Sequence, residues 1–190
     1  NLGTVFEKLN EFEKAIDHYS KAIEIQPNHI DAYTNLLWNT CLYSNKKYLK
    51  IAKKYYEAIP RYDERGSKQY KTSSQKILKV GFVSGDFRNH SVVFFLLDTL
   101  KYLRKKKIKL FAYSNNAYED DFTKLIKQYF DNWVSVIYKT DKDLINLIRK
   151  DNLDILFDLS GHTANNRLAI FKNRCAPVQA AWCGWLASTG

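Results

Sequence analysis

Two short stretches concentrate the residues able to do chemistry. In Gly85-Asp86-Phe87-Arg88-Asn89-His90 a carboxyl and an imidazole stand four residues apart, just past the apolar run KVGFVS. In Leu159-Ser160-Gly161-His162-Thr163-Ala164-Asn165-Asn166 a second imidazole, a hydroxyl and two amides follow the apolar run ILFD. A carboxylate can take a proton, or orient a nucleophile through a neighbouring ring. With His90 at a helix start, the positive end of the helix dipole favours a neutral ring that donates one hydrogen bond and accepts another. The same residues have a plainer use. Asp86 and His90 can tie down a strand-to-helix turn, with Gly85 permitting the sharp bend and Asn89 or Ser91 capping the helix. The second stretch likewise reads as a β-to-α turn capped by Thr163 or Asn165, its small residues leaving backbone N–H groups open to a ligand. A third stretch, CAPVQAAWCGWLASTG, has Pro177 leading into a short strand that ends at Gly184, with Trp182 and Trp185 as core or wall. The glycine fingerprint GxGxxG is absent. Cys41, Cys175 and Cys183 show neither CxxC spacing nor a His pattern suited to zinc, so no metal is expected and the thiols are read as reduced.

These loops need elements to hold them. From residue 77 short apolar strands alternate with helical patterns: KILKVGFVS, VVFFLLDTLKYLRK, IKLFAYSN, EDDFTKLIKQYF, WVSVIY, DKDLINLIRKDN, DILFDLSG and VQAAWCG. That alternation predicts a doubly wound, Rossmann-like α/β domain with a parallel sheet. Ligands of such sheets bind beyond the carboxyl ends of the strands, which directs attention to the loops starting at Ser84, Ser114, Ser160 and Gly184.

The first 29 residues have a different rhythm. Leu2-Gly3, Phe6, Phe12, Ala15, Tyr19, Ala22 and Pro27 occupy the positions of a tetratricopeptide (TPR) helix pair. Gly3 and Ala15 allow close helix approach, Phe12 and Tyr19 fill the space between helices, and Pro27 ends the second helix. The 34-residue period then weakens, because Leu37 stands at the Gly position and Thr40 at an aromatic one. Residues 30 to 59 still read as helical, with Leu36, Leu37, Thr40 and Cys41 on one face and Tyr48, Ile51, Ala52, Tyr55 and Ile59 on another. The expected organisation is a TPR repeat with capping helices over 1–60, a linker over 61–76 and the α/β lobe over 77–190.

The chain of 190 residues carries a net charge of +10, mostly from scattered Lys. Its one dense run, Arg104 to Lys107, falls where a helix should end, and cations there complement the helix dipole. No nucleic-acid motif accompanies the charge, so no nucleic-acid partner is expected. No apolar run reaches the roughly 20 residues that span a bilayer, so no membrane partner is expected and a cytoplasmic location is. The sequence starts at Asn1 and lacks Met, which reads as part of something longer.

KVGFVSGDFRNHSVVFF, DILFDLSGHTANNRL and APVQAAWCGWLASTG, in this order and behind a TPR, together resemble the N-terminal catalytic lobe of the O-GlcNAc transferase and SPINDLY family. The resemblance implies the first lobe of a GT-B, inverting glycosyltransferase. Such an enzyme moves a sugar from a nucleotide donor, UDP-GlcNAc foremost, to Ser or Thr of proteins presented by the TPR superhelix. The donor is a substrate, and no cofactor is implied. The family's cleft Asp and His fall on Asp86 and His90, with Asn89, His162, Thr163 and Gly184 as substrate-binding positions. The chain departs from the family at Leu186, where a Pro usually stands two residues after the Gly, at Ala187, where Gly or Asn is common, and at Gly66, where a linker His often stands. His90-Ser91-Val92 followed by Phe94 and Phe95 resembles SPINDLY-like members, leaving GDP-fucose open as donor and a non-catalytic TPR scaffold as a contrasting reading. A second lobe, expected to bind most of the nucleotide diphosphate, has no counterpart in these residues.

Overall fold

The computed structural model describes residues 1–41, 45–62 and 77–190. All but the start of the expected linker, and with it the Gly66 position, lies outside the described residues. The chain divides into two compact units, Asn1–Pro60 with Leu186–Gly190, and Arg61–Trp185.

The first unit contains helices α1 (Leu2–Lys8), α2 (Phe12–Ile25), α3 (Ile30–Thr40) and α4 (Asn45–Ala58). α1 meets α2 where Gly3 lies on the ring of Tyr19; a Cβ added to Gly3 would stand 2.6 Å from that ring. Ala15 and Tyr19 are fully buried, whereas Phe12 is only half-buried, so Tyr19 is the main filler between the two helices. The Tyr19 hydroxyl donates to Glu7 Oε2 at 2.9 Å, and Asn39 Nδ2 donates to the same oxygen at 3.2 Å. One carboxylate thereby links α1, α2 and α3. Burial is the main force that pushes the Tyr19 hydroxyl up to about 12. Leu36, Leu37, Thr40, Tyr48, Ile51, Ala52 and Tyr55 form the buried faces of α3 and α4, Ile59 is buried just past the end of α4, and Cys41 is half-buried. The Tyr48 hydroxyl donates to the Ser188 carbonyl.

The second unit is a five-stranded, all-parallel sheet in the order β3-β2-β1-β4-β5. Its strands are β1 (Leu78–Ser84), β2 (Ile108–Ser114), β3 (Asn132–Ser135), β4 (Ile155–Asp158) and β5 (Val178–Ala181). The connecting helices are α5 (Ser91–Leu103), α6 (Asp121–Lys127) and α7 (Asp141–Asp151), and a 3₁₀ turn spans Leu168–Asn173. Alternation along the strands sends side chains to two cores. Val80, Phe82, Leu110 and Ala112 pack with Val92, Val93, Leu96 and Leu100 of α5 and Ile126 of α6. Val83, Phe111, Tyr113 and Leu156 pack with Leu144, Ile145 and Ile148 of α7 and with Ile170. Apolar helices on both faces explain why the central strands read as near-continuous apolar runs.

Register aligns the carboxyl ends: Ser84 pairs with Ser114, Val83 with Asp158, Asp158 with Ala181, and Ser114 with Ser135. The chain reverses its direction of winding between β1 and β4, and the loops that follow those two strands are where sheets of this kind bind ligands. Three sequence expectations need correction. β5 stops at Ala181, three residues before Gly184. The segment after LSGHTANN is a 3₁₀ turn with no side-chain cap, so neither Thr163 nor Asn165 caps a helix. The α5 cap is neither Asn89 nor Ser91 but His90. The basic run does follow a helix end, with Arg104 as the C-cap of α5.

Gly3→Ala should lower the unfolding free energy of the helical unit by roughly 1–3 kcal/mol, the usual cost of forcing volume into a packed contact. Urea titration followed by helical circular dichroism would measure it.

Candidate active site

The loop from β1 to α5 is shaped by its own polar atoms and by its neighbours. Asp86 N–H donates to Ser84 Oγ at 2.9 Å, and Gly85 N–H donates to Ser160 Oγ of the β4 loop at 3.2 Å. Gly85 is not in a left-handed conformation, so the expected reason for a glycine, an unusual turn, does not hold. Its reason is space: a Cβ there would stand 2.7 Å from the Asn165 carbonyl oxygen and 2.8 Å from the Asn165 Cβ. The two stretches that stood out in the sequence therefore touch, backbone on backbone.

The N-terminus of α6 holds the same loop from its outer side. Asp120 caps α6 through Thr123 N–H at 2.8 Å and also accepts from Asn89 N–H at 2.6 Å. The Asn89 hydrogen bond is the largest cause that holds the Asp120 carboxyl below its ordinary value. Thr123 Oγ1 donates to the Phe87 carbonyl at 2.6 Å. Phe87 itself is fully buried against Phe130 and Trp133.

Held in this way, Asp86 is buried and faces its own loop. Its Oδ1 lies 3.3 Å from Arg88 Nη2 and 4.0 Å from His90 Nε2. His90 Nδ1 accepts from Val92 N–H at 3.3 Å, which caps α5. That bond assigns the ring tautomer, because an accepting Nδ1 leaves the ring proton on Nε2, the nitrogen nearer Asp86. The Nε2–H of His90 is thus the ring group nearer Asp86 Oδ1, 4.0 Å away.

The β4 loop is organised by Asp158, which sequence reading passed over as the end of a strand. Its carboxylate accepts from Gly161 N–H at 2.7 Å and Ser160 N–H at 3.2 Å. Burial outweighs these two bonds and pushes the group up from 3.8 to about 6. Gly161 has φ +61°, and a Cβ on it would meet the Trp185 side chain. His162 is buried and packs edge-on against the Trp185 ring at 5.2 Å. Thr163 is half-buried and its hydroxyl donates to the Ser160 carbonyl at 2.9 Å. Asn165, at φ +58°, turns its carbonyl to accept from Asn115 Nδ2 at 2.9 Å. Arg167 anchors the far end, donating to Asp141 at 3.0 Å, Val136 O at 3.2 Å and Lys139 O at 2.9 Å.

Gly184 sits against the same loop from the β5 side. A Cβ there would fall 1.7 Å from the Leu159 carbonyl oxygen, a position no side chain can share. The β4 loop is thus central, touched at Gly85 by the β1 loop and at Gly184 by the β5 loop. Asp86, Asn89 and His90 gather on one side of it, His162 with Trp185 on the other, and Thr163 lies on the loop between them. Arg88, Tyr118, Asp120, Thr123, Asp158 and Arg167 complete the frame. Of these only Asp120-x-x-Thr123 before an apolar run carried a local signal, that of a helix start. Among the described residues, His, Cys, Asp and Glu do not gather in threes that could hold a metal ion.

The sequence pattern of Glycosyl transferase family 41 matches residues 51–190. The chain belongs to glycosyl transferase family 41. A tetratricopeptide repeat pattern matches residues 1–29. The family 41 chain is 34% identical over 121 residues to the Arabidopsis thaliana protein named "Probable UDP-N-acetylglucosamine--peptide N-acetylglucosaminyltransferase SPINDLY", a match covering 61% of this chain and 13% of that protein. The SPINDLY protein of Oryza sativa subsp. japonica is 28% identical over 188 residues, 92% of this chain and 20% of its own length. The solved structure of a Thermobaculum terrenum O-GlcNAc transferase mutant, K341M, superposes with a TM-score of 0.86 at 28% identity. It is covered over 37% of its length, and this chain over 100%. The chain spans a fifth or less of these two curated relatives.

Two consequences can be measured. Between pH 4 and 6 the folded chain holds a proton on Asp158 that the unfolded chain has released, so this group favours folding below about pH 4 and the benefit is lost as pH rises through about 6. The unfolding free energy of Asp158→Asn minus that of the wild type should therefore rise by roughly 3 kcal/mol from pH 4 to pH 7. Denaturant titrations at several pH values would show the slope. Gly184→Ala should be among the most damaging single-methyl additions, costing roughly 3 kcal/mol or more or preventing soluble expression.

Proposed function

We propose that this chain is the first catalytic lobe, with its TPR attachment, of an inverting protein O-glycosyltransferase of the GT-B type. The reaction moves N-acetylglucosamine from a nucleotide-sugar donor to Ser or Thr hydroxyls of protein acceptors held by the TPR superhelix. The observation that carries this reading is the Asp86–His90 pair. In a family 41 chain it lies beside the point where the sheet reverses its winding, with acceptor and donor atoms turned toward each other. An attacking hydroxyl needs a group to take its proton as the new bond forms. On this reading Asp86 takes that proton and the Nε2–H of His90 orients the hydroxyl, which the His90 tautomer supports. Asn89, Thr163 and the Gly184 backbone are the proposed sugar-nucleotide contacts, with His162 and Trp185 as the wall behind them.

The nucleotide diphosphate needs a second lobe, so these 190 residues alone are proposed to be inactive. The reading places the reaction in the cytoplasm. Three free cysteines fit a reducing compartment, and no helix among the described residues is long and apolar enough to cross a membrane. A second reading, an O-fucosyltransferase using GDP-fucose, rests on the His90-Ser91-Val92 pattern and its resemblance to SPINDLY-like members.

The full-length protein carrying this segment should transfer labelled sugar from UDP-GlcNAc or GDP-fucose to lysate proteins. Asp86→Asn and His90→Asn should each reduce transfer by about 100-fold or more. Transfer from GDP-fucose alone would select the second reading. Absence of transfer from either donor would leave a TPR scaffold with an inert lobe.

A further inference from the structure

The Asp86 carboxylate has a cation on its own loop as well as an imidazole. Arg88 Nη2 lies 3.3 Å from Asp86 Oδ1, the oxygen that also faces His90 Nε2 at 4.0 Å. The other arm of the guanidinium reaches out of the loop, with Nη1 donating to the Tyr118 hydroxyl at 3.4 Å. Tyr118 belongs to the β2–α6 connection, and its side chain is 59% exposed, so core packing does not explain it. That connection is fixed to the β1 loop twice more, by Asp120 on Asn89 N–H and by Thr123 on the Phe87 carbonyl. A rigid mount thus presents a phenol to a guanidinium, and the guanidinium reaches a buried carboxylate.

We propose that Arg88 and Tyr118 are positioning residues for the Asp86–His90 pair. Tyr118 orients the guanidinium, and the guanidinium fixes the Asp86 carboxylate so that Oδ1 is divided between Arg88 and the Nε2–H of His90. The planar fork is what makes this possible. Its two arms point in set directions, so one can hold the phenol while the other meets the carboxylate, which the single ammonium of a lysine cannot do. Among the described residues, the charged and titratable groups brought to this loop besides His90 are Asp86 and Arg88 from the loop itself, and Tyr118 and Asp120 from the connection. Of these Asp86 is the one within reach of the His90 ring. The inference rests on reading that pair as the acid–base centre.

The test reads the imidazole itself. Nitrogen–proton correlation spectra of this chain with labelled histidine, assigned through His90→Asn, report the His90 tautomer and titration midpoint. Arg88→Ala releases the carboxylate to the ring and should raise the His90 midpoint by about half a unit or more. Tyr118→Phe changes no charge and should move it the same way by a smaller amount. Arg88→Lys keeps the charge and should fall between wild type and Arg88→Ala. In an Asp86→Asn background both shifts should shrink to less than half. An unchanged midpoint in Tyr118→Phe, or an Arg88→Ala shift that survives undiminished in Asp86→Asn, would overturn the proposal, since the guanidinium would then act on the ring by charge alone. The measurement does not involve sugar transfer. Its failure would leave the glycosyltransferase reading intact, and failure of transfer would leave the positioning measurement intact.

Discussion

Nearly everything at the carboxyl edge of the sheet hangs on one buried carboxylate. Asp158 ends β4 out of reach of solvent, and among the described residues its carboxylate accepts from two backbone N–H groups, those of Ser160 and Gly161. Such an arrangement costs desolvation free energy, visible in the rise of its proton affinity, and returns a loop with one shape. Because Gly161 is folded back on Asp158, the chain leaves β4 in the direction that lets Ser160 receive Gly85 N–H and lets Asn165 lie over Gly85. The position of the β1 loop, and of Asp86 and His90 on it, follows from that turn.

Close backbone approach then replaces side-chain packing as the means of registering the loops. Gly85 and Gly184 each leave no space for a methyl group, and the neighbour in both cases is main chain or Cβ that cannot swing aside. Contacts between backbones are stiffer than contacts between rotamers, and they hold the three loops in register. α6 adds a fourth support through Asp120 and Thr123. That helix is short, and its worth to the site lies in its first turn.

The sheet and the helix pair are legible because their signals are local and repeated: short apolar runs, the alternation with helices, and the Gly3, Ala15 and Tyr19 spacing of the repeat. The two loops with chemical residues were legible as well, since they follow strands. Their frame was not. Arg88 and Tyr118 lie thirty residues apart and meet only because Asp120 docks α6 against the β1 loop. Asn165 takes a left-handed conformation that any Asn-Asn pair might or need not adopt, and its partner Asn115 lies fifty residues earlier. Gly85 was noticed for the wrong physical reason, since a glycine needed for space and one needed for dihedral freedom look alike in sequence. Leu168–Asn173 is a 3₁₀ turn where the polar residues Thr163 and Asn165 predict a capped helix, because such residues signal a cap whether or not their side chains reach one.

His90 serves two structures at once, and helix-capping chemistry gives that pairing a meaning for the history of the chain. Ser, Thr, Asp and Asn are the residues that close a helix start best, and any of them would fit a position whose work was folding alone. An imidazole in that place is a poorer clasp whose far nitrogen faces Asp86. A descendant that kept the lobe only as a scaffold would be released from this compromise, and substitution by one of the better clasps is the mark it would be expected to carry.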